Sequence, residues 1–171
     1  MEKIKGTGVA LITPFNSDLS VDYVGLEKLL IHQIERGIDY LVLMGTTGES
    51  AVLSKVEKQE VITFCKKTNA GRLPIVLGIG GNNTLALVDE IKATDFTGID
   101  AVLSVSPCYN KPTQEGIYQH YKMITEVCPL PIILYNVPGR TASNMASETT
   151  LRLANDFENI IAIKEASGDM D

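Results

Sequence analysis

The sequence predicts an α/β fold organised around a parallel sheet, and three observations carry that prediction. Short apolar runs alternate with amphipathic runs along the whole length, repeating roughly every 26–35 residues, a length that suits βαβ units. The apolar runs are nearly unbroken rather than alternating, as parallel strands covered on both faces require. Polar residues gather after the strands, at the edge where parallel α/β architectures build their sites. Two architectures fit this pattern, an open doubly wound sheet and a (β/α)₈ barrel.

The elements follow in order. Gly8–Ile12 reads as a strand closed by Thr13-Pro14. Leu26, Leu29, Leu30 and Ile34 then lie at helical spacing, with Gly37 as the stop. Tyr40–Met44 is a second strand leading into Gly45-Thr46-Thr47-Gly48-Glu49-Ser50. Ser54-Lys55-Val56-Glu57 is a capping box, opening a helix with Val61, Ile62 and Cys65 on one side. Pro74–Leu77 is a third strand with Gly78–Asn82 as its loop, and Thr84, Leu87, Val88 and Ile91 mark the next helix. Ala101–Val105 is a fourth strand, after which Thr113 caps a helix carrying Ile117, Tyr121 and Ile124 inward. Pro131–Leu134 is a fifth strand ending at Tyr135, with Asn136–Thr141 as a loop and a short helix around Ser147–Ala154. The β-branched run Ile160-Ile161-Ala162-Ile163 is a sixth strand, read as buried on both faces and ending at Lys164.

Composition narrows the function classes. At 171 residues and 44% hydrophobic content the chain can bury one core. A net charge of -6 argues against nucleic acid or an anionic membrane surface as partner. No run approaches membrane-spanning length, so a soluble, cytosolic protein is expected. Cys65, Cys108 and Cys128 are widely spaced and form no CxxC pair, which points to neither a disulfide framework nor a thiolate metal site. A complete barrel needs about 250 residues. Read as a barrel, residues 1–171 would supply a partial one of about six strands and five helices, some two βα units short.

The polar residues at strand ends are the candidate site. A lysine such as Lys164, where an apolar strand opens into a loop, is either a surface residue ending the strand or an amine held in a dry pocket. In general an amine of the second kind has its pKa pulled from about 10.4 toward 7–8 and can attack a ketone to form a Schiff base. Tyr135 directly continues Ile132-Ile133-Leu134, so its hydroxyl is expected to project from the end of the sheet. Gly45–Glu49 offers backbone amides and two hydroxyls, Thr46 and Thr47, in a tight turn suited to a carboxylate. Arg140 follows Pro138-Gly139, where its guanidinium either clamps a substrate carboxylate or is solvated. Gly78-Ile79-Gly80-Gly81-Asn82-Asn83 lacks the third glycine of a dinucleotide loop, since Asn83 stands there. His32 and His120 fall on crossover helices and read as surface or packing residues; no HExxH, carboxylate cluster or GxSxG indicates a metal site or a serine hydrolase.

Five motifs in order then match one family: Gly6-Thr7-Gly8-Val9-Ala10-Leu11-Ile12-Thr13-Pro14-Phe15, Gly45-Thr46-Thr47-Gly48-Glu49-Ser50, Pro107-Cys108-Tyr109-Asn110-Lys111-Pro112, Tyr135-Asn136-Val137-Pro138-Gly139-Arg140-Thr141 and Ile163-Lys164-Glu165-Ala166-Ser167-Gly168. The chain resembles the dihydrodipicolinate synthase family within the pyruvate-dependent class I aldolases. The resemblance implies a (β/α)₈ TIM barrel with a small C-terminal helical region, assembled as a homotetramer of tight dimers, and no cofactor. It implies that Lys164 forms a Schiff base with pyruvate, whose enamine adds to L-aspartate 4-semialdehyde. Tyr135 would relay protons with Thr46 and with Tyr109 reaching in from a neighbouring subunit. Thr47 would hold the pyruvate carboxylate and Arg140 the semialdehyde carboxylate. The alternatives are N-acetylneuraminate lyase, whose corresponding loop lacks that arginine, a 2-keto-3-deoxy sugar acid aldolase, or an inactive fragment.

The chain departs from the family's lysine-inhibited members at three positions. Cys108 replaces the tyrosine before the interdigitating one, and Lys55 and Ala86 replace a histidine and a glutamate of the effector pocket. Losing a carboxylate removes a partner for an effector ammonium, and Lys55 adds like charge. Weak or absent inhibition by lysine is therefore expected.

Overall fold

The computed structural model describes residues 4–169; Asp171, at the end of the expected domain, lies outside the described residues. The chain divides into two compact units, Met1–Gly78 with Thr97–Asp100, and Ile79–Phe96 with Ala101–Asp171.

The first unit holds strand β1 (Gly8–Ala10), helix α1 (Tyr23–Glu35), β2 (Tyr40–Leu43), a 3₁₀ turn (Thr46–Gly48), α2 (Lys55–Asn69) and β3 (Ile75–Gly78). Its strands pair in parallel in chain order, with Val9 beside Leu41 and Val42 beside Val76. Helix α1 starts where the Asp22 carboxylate accepts from Gly25 N–H and stops at Gly37, whose φ of +78° suits glycine. It buries Leu26 and Leu30. Helix α2 opens with the expected capping box: Ser54 accepts from Glu57 N–H while the Glu57 carboxylate accepts from Ser54 N–H.

The second unit holds α3 (Thr84–Ala93), β4 (Ala101–Val105), α4 (Gln114–Thr125), β5 (Ile132–Asn136), the one-turn α5 (Pro138–Thr141), α6 (Ser147–Asp156) and β6 (Ile160–Glu165). Here too the strands are parallel and consecutive. Asn83 and Thr113 cap α3 and α4, each accepting from a backbone N–H two or three residues into the helix. Ile117, Tyr121 and Ile124 are fully buried, as their spacing predicts, each aliphatic side chain contributing about 2 kcal/mol of burial. The Tyr121 hydroxyl donates to the Ser104 carbonyl at 2.8 Å and locks α4 onto β4.

Three expectations are corrected. Residues 136–141 are not all loop, because β5 runs on to Asn136 and Pro138, at the first position of a helical turn, opens α5. Strand β6 does not stop at Lys164 but continues to Glu165. Nor is β6 buried on both faces. Ile160 is buried, but Ala162 to Glu165 are exposed, in contrast to β5, which is buried along its whole length. Apolar composition alone registers a strand's propensity, not whether both faces and both edges find partners.

Among the described residues no helix is long and apolar enough to cross a membrane, and no group of three or more His, Cys, Asp or Glu side chains could hold a metal ion. The three cysteines are free, and burial pushes the Cys65 thiol up to about 12.

The two histidines separate as packing and surface residues. His32 is exposed, whereas His120 is 2% exposed, with Nδ1 2.8 Å from the Thr84 hydroxyl and Nε2 without a partner. Burial pushes the His120 imidazole down to about 4. Below pH 6.5 the unfolded chain takes up a proton here that the folded chain refuses until pH 4. Stability is therefore expected to fall as pH drops through that window, by up to roughly 3 kcal/mol from this group. Urea titrations at pH 7 and pH 4.5 check this: His120→Gln should flatten the pH slope while weakening the protein slightly at pH 7.

Candidate active site

Tyr135 and Lys164 come together by register. Parallel pairing sets Tyr135 beside Lys164 and Asn136 beside Glu165, and the Lys164 Nζ lies 4.5 Å from the centre of the Tyr135 ring. Adjacent strands present side chains of one rung on the same face, and a cation over a phenol face is attracted by about 0.5–1 kcal/mol. The rung extends to β4, where Val105 pairs with Tyr135.

A β-bulge makes this alignment. Ile132 pairs with Ile160 but Ile133 pairs with Ala162, so Ile161 is the extra residue in β6. Were the register to run on from the Ile132–Ile160 pair without the bulge, Lys164 would sit beside Asn136, on the face opposite Tyr135. No feature of the uninterrupted run Ile160–Ile163 announces the bulge in the sequence.

Tyr135 is buried, whereas Lys164 is exposed. The amine therefore has an aromatic floor but is not enclosed by the described residues.

Tyr109 and Arg140 are linked through backbone. Tyr109 N–H donates to the Thr141 carbonyl at 3.2 Å, one residue past Arg140. Tyr109 has φ +69° and Lys111 φ +48°, left-handed conformations that cost side-chain-bearing residues about 1 kcal/mol or more each. The loop so formed leaves the Tyr109 ring 85% exposed. Arg140 is exposed on α5, and Thr141 is buried, its hydroxyl donating to Ser143 O at 2.7 Å.

Thr46 and Thr47 belong to the first unit and are exposed on the 3₁₀ turn that follows β2. The turn is tight for specific reasons. Met44 is buried with φ +55°, Glu49 closes the turn with φ +53°, and the Thr13 hydroxyl donates to Gly48 O at 2.7 Å. A Cβ on Gly78 would lie 2.4 Å from the Met44 carbonyl oxygen, so only glycine fits beside this carbonyl. Gly80 is constrained in the second unit, where a Cβ would meet Val105 Cγ1 at 2.6 Å. The glycines of residues 78–81 thus include two that allow close packing against neighbouring strand ends.

Sequence reasoning missed Asn136 and Glu165. Asn136 is 1% exposed and its amide donates to Asn144 Oδ1 at 2.7 Å and Glu165 Oε2 at 2.9 Å. Burial works against ionisation of Glu165, but hydrogen bonds from Asn136 and Ser167 outweigh it and hold the carboxyl below its ordinary range. The available signal was positional, since each residue directly follows a candidate catalytic side chain.

A cleft of about 480 Å³ in the first unit is lined by Lys66, Asn69, Arg72, Pro74 and Asp100 among others. It lies at the start of β3, not at the strand ends. Its polar groups are committed: Arg72 donates to Thr68 O and Asn69 O, and Asp100 accepts from Ile75 N–H.

Comparison with known proteins bears on the whole arrangement. The model of the dihydrodipicolinate synthetase family matches residues 3–171. The chain is 61% identical over 170 residues to the 4-hydroxy-tetrahydrodipicolinate synthase of Flavobacterium psychrophilum, covering 99% of this chain and 58% of that protein. It is 58% identical over 167 residues to the protein of the same name from Parabacteroides distasonis, covering 98% and 56%. The chain thus spans a little over half the length of these curated relatives. Dihydrodipicolinate synthase from Thermotoga maritima superposes with a TM-score of 0.93 at 41% identity, over 98% of this chain and 56% of that one. The chloride-inhibited enzyme from Acinetobacter baumannii, solved in complex with pyruvate, gives 0.92 at 48% identity, over 97% and 57%. These superpositions decide the open choice of architecture for the (β/α)₈ barrel, of which the chain supplies six strands with their helices. The chain belongs to the dihydrodipicolinate synthetase family.

Proposed function

We propose that the protein is a lyase that condenses pyruvate with L-aspartate 4-semialdehyde to give 4-hydroxy-tetrahydrodipicolinate, in diaminopimelate and lysine biosynthesis. The observation that carries this reading is the Lys164–Tyr135 rung, 4.5 Å from amine to ring centre, in a chain of this family. The Lys164 amine adds to the pyruvate C2 carbonyl and water leaves, giving an imine. Loss of a C3 proton gives an enamine whose C3 attacks the aldehyde carbon, and cyclisation through the semialdehyde amine releases the lysine. The imine is the electron sink, so the chemistry asks for no cofactor.

Tyr135 moves protons on and off the imine, with Thr46 and a neighbouring subunit's Tyr109 completing the relay. Thr47 holds the pyruvate carboxylate and Arg140 the semialdehyde carboxylate. Exposure of the Tyr109 ring supports its reaching into another subunit, and a homotetramer built as a dimer of dimers accommodates that exchange. The proposed domain is the partial (β/α)₈ barrel of residues 1–171. The setting is the cytoplasm, with no nucleic acid or membrane as partner.

Product analysis on the full-length protein tests the reading. Pyruvate with L-aspartate 4-semialdehyde should yield the condensed product, while N-acetylneuraminate and 2-keto-3-deoxy sugar acids should not be cleaved. Cleavage of either sugar acid, with no turnover of the semialdehyde, would overturn it. The same assay titrated with free lysine should show no half-inhibition below about 1 mM, because Lys55 and Ala86 offer an effector ammonium no carboxylate.

A further inference from the structure

We infer that Asn136 is a positioning residue for Lys164: its buried amide ties the ends of β5 and β6 together one residue beyond the Tyr135–Lys164 rung and so fixes the aim of the amine. This rests on the proposed role of Lys164. Successive side chains alternate across a strand, so Asn136 and Glu165 lie on the face opposite Tyr135 and Lys164. Asn136 therefore acts on the chemistry only through the rung.

Both N–H donors of the amide are used, and its oxygen accepts as well. Its two N–H bonds go to Asn144 Oδ1 at 2.7 Å and Glu165 Oε2 at 2.9 Å, and its oxygen accepts from Met145 N–H at 3.0 Å. The Asn136 backbone carbonyl accepts from Ala166 N–H at 2.9 Å. Lys164 is thus followed by two residues that both bond to Asn136, one by side chain and one by main chain. Glu165 is held from its far side as well, since Oε1 accepts from Ser167 N–H at 2.6 Å.

The clamp is anchored rather than floating. Gln114, the first residue of α4, donates to Asn144 O at 2.8 Å and accepts from Ala146 N–H at 2.9 Å and the Thr149 hydroxyl at 2.7 Å. A continuous set of bonds therefore runs from α4 through residues 144–149 to β5 and then β6. Bonds to an ionised acceptor are the stronger kind, which suits Glu165 as the β6 end of the tie. The need for it is local. Tyr135 and Lys164 meet only where β5 and β6 pair beyond the bulge, and a misplacement of about 1 Å costs an enzyme on the order of 100-fold.

The experiment traps the pyruvate imine with borohydride in the full-length protein and follows the adduct on Lys164 by mass spectrometry across pH, alongside kcat, KM and thermal melts. Asn136→Asp sets a carboxylate against Glu165. It should lower trapping and kcat by about 100-fold, move KM far less, and shift the pH dependence of trapping. The double variant Asn136→Asp with Glu165→Gln restores a donor and an acceptor with their roles exchanged, and should recover trapping to within about tenfold of wild type. Glu165→Ala, which removes one bond of the tie without placing two carboxylates together, keeps the test available should Asn136→Asp not fold, and should slow trapping in a protein that still melts cooperatively. Folded Asn136→Asp or Glu165→Ala that trap at the wild-type rate overturn the clamp, as does a folded double variant no faster than Asn136→Asp. Wild type that yields no adduct on Lys164 overturns the lysine reading itself, and the clamp with it.

Discussion

Lys164→Ala is expected to abolish the pyruvate adduct, and with it turnover by about three orders of magnitude or more, because the substitution removes the amine on which the proposed imine forms. Full-length wild type treated with pyruvate and borohydride should gain about 72 Da, a hydride having been added across the imine to leave a secondary amine. Peptide mapping should place that gain on Lys164. Lys164→Arg separates charge from nucleophilicity. A guanidinium keeps a cation over the Tyr135 ring but does not deprotonate in a protein, so it should be as inert as alanine while preserving the rung. Because the ends of β5 and β6 are tied by bonds of Asn136 that do not involve the lysine side chain, both variants should fold. An adduct that survives in Lys164→Ala, or that maps to a different lysine, would sink the assignment.

The parts of this molecule that were legible in the sequence are those set by local chemistry. The Ser54–Glu57 capping box, the stop at Gly37, the cap at Thr113 and the inward face of Ile117, Tyr121 and Ile124 all formed as read, because each depends on neighbours within a turn or two. Strand ends were also legible, since apolar runs give way to polar residues there. What could not be read was long-range. The bulge at Ile161 exists only through pairing with β5, and the isoleucines around it have the same β propensity whichever one is left over. Met44 in a left-handed conformation is invisible in sequence because nothing in methionine favours it; the constraint is imposed by the turn and by Gly78 passing its carbonyl. Asn136 was read as the start of a loop, since asparagine usually marks turns, whereas here its amide is spent on bonds between elements. The candidate residues were accessible as a list, and their order along β5 and β6 was accessible too. The facing of Lys164 onto Tyr135 depended on a one-residue slip that only the paired strands reveal.

Tyr135→Phe should lower kcat by about 10²–10⁴-fold, the range of a single positioned acid or base. The design of the rung makes this substitution informative. The ring faces the Lys164 amine at 4.5 Å and is buried, so phenylalanine keeps both the packing and the cation contact and deletes only the hydroxyl. If the hydroxyl carries protons during imine formation and C3 deprotonation, borohydride trapping on Lys164 should slow yet still reach completion, and exchange of pyruvate C3 protons with deuterated solvent should slow in parallel with kcat. Tyr135→Ala additionally removes the aromatic floor and opens a cavity beside β4, where Val105 shares the rung. It should cost about 3–5 kcal/mol of stability as well as activity. The contrast between the two variants separates proton transfer from support of the amine. A Tyr135→Phe protein that turns over within a few-fold of wild type would leave the ring as the functional element, with the proton moving through Thr46 or solvent instead.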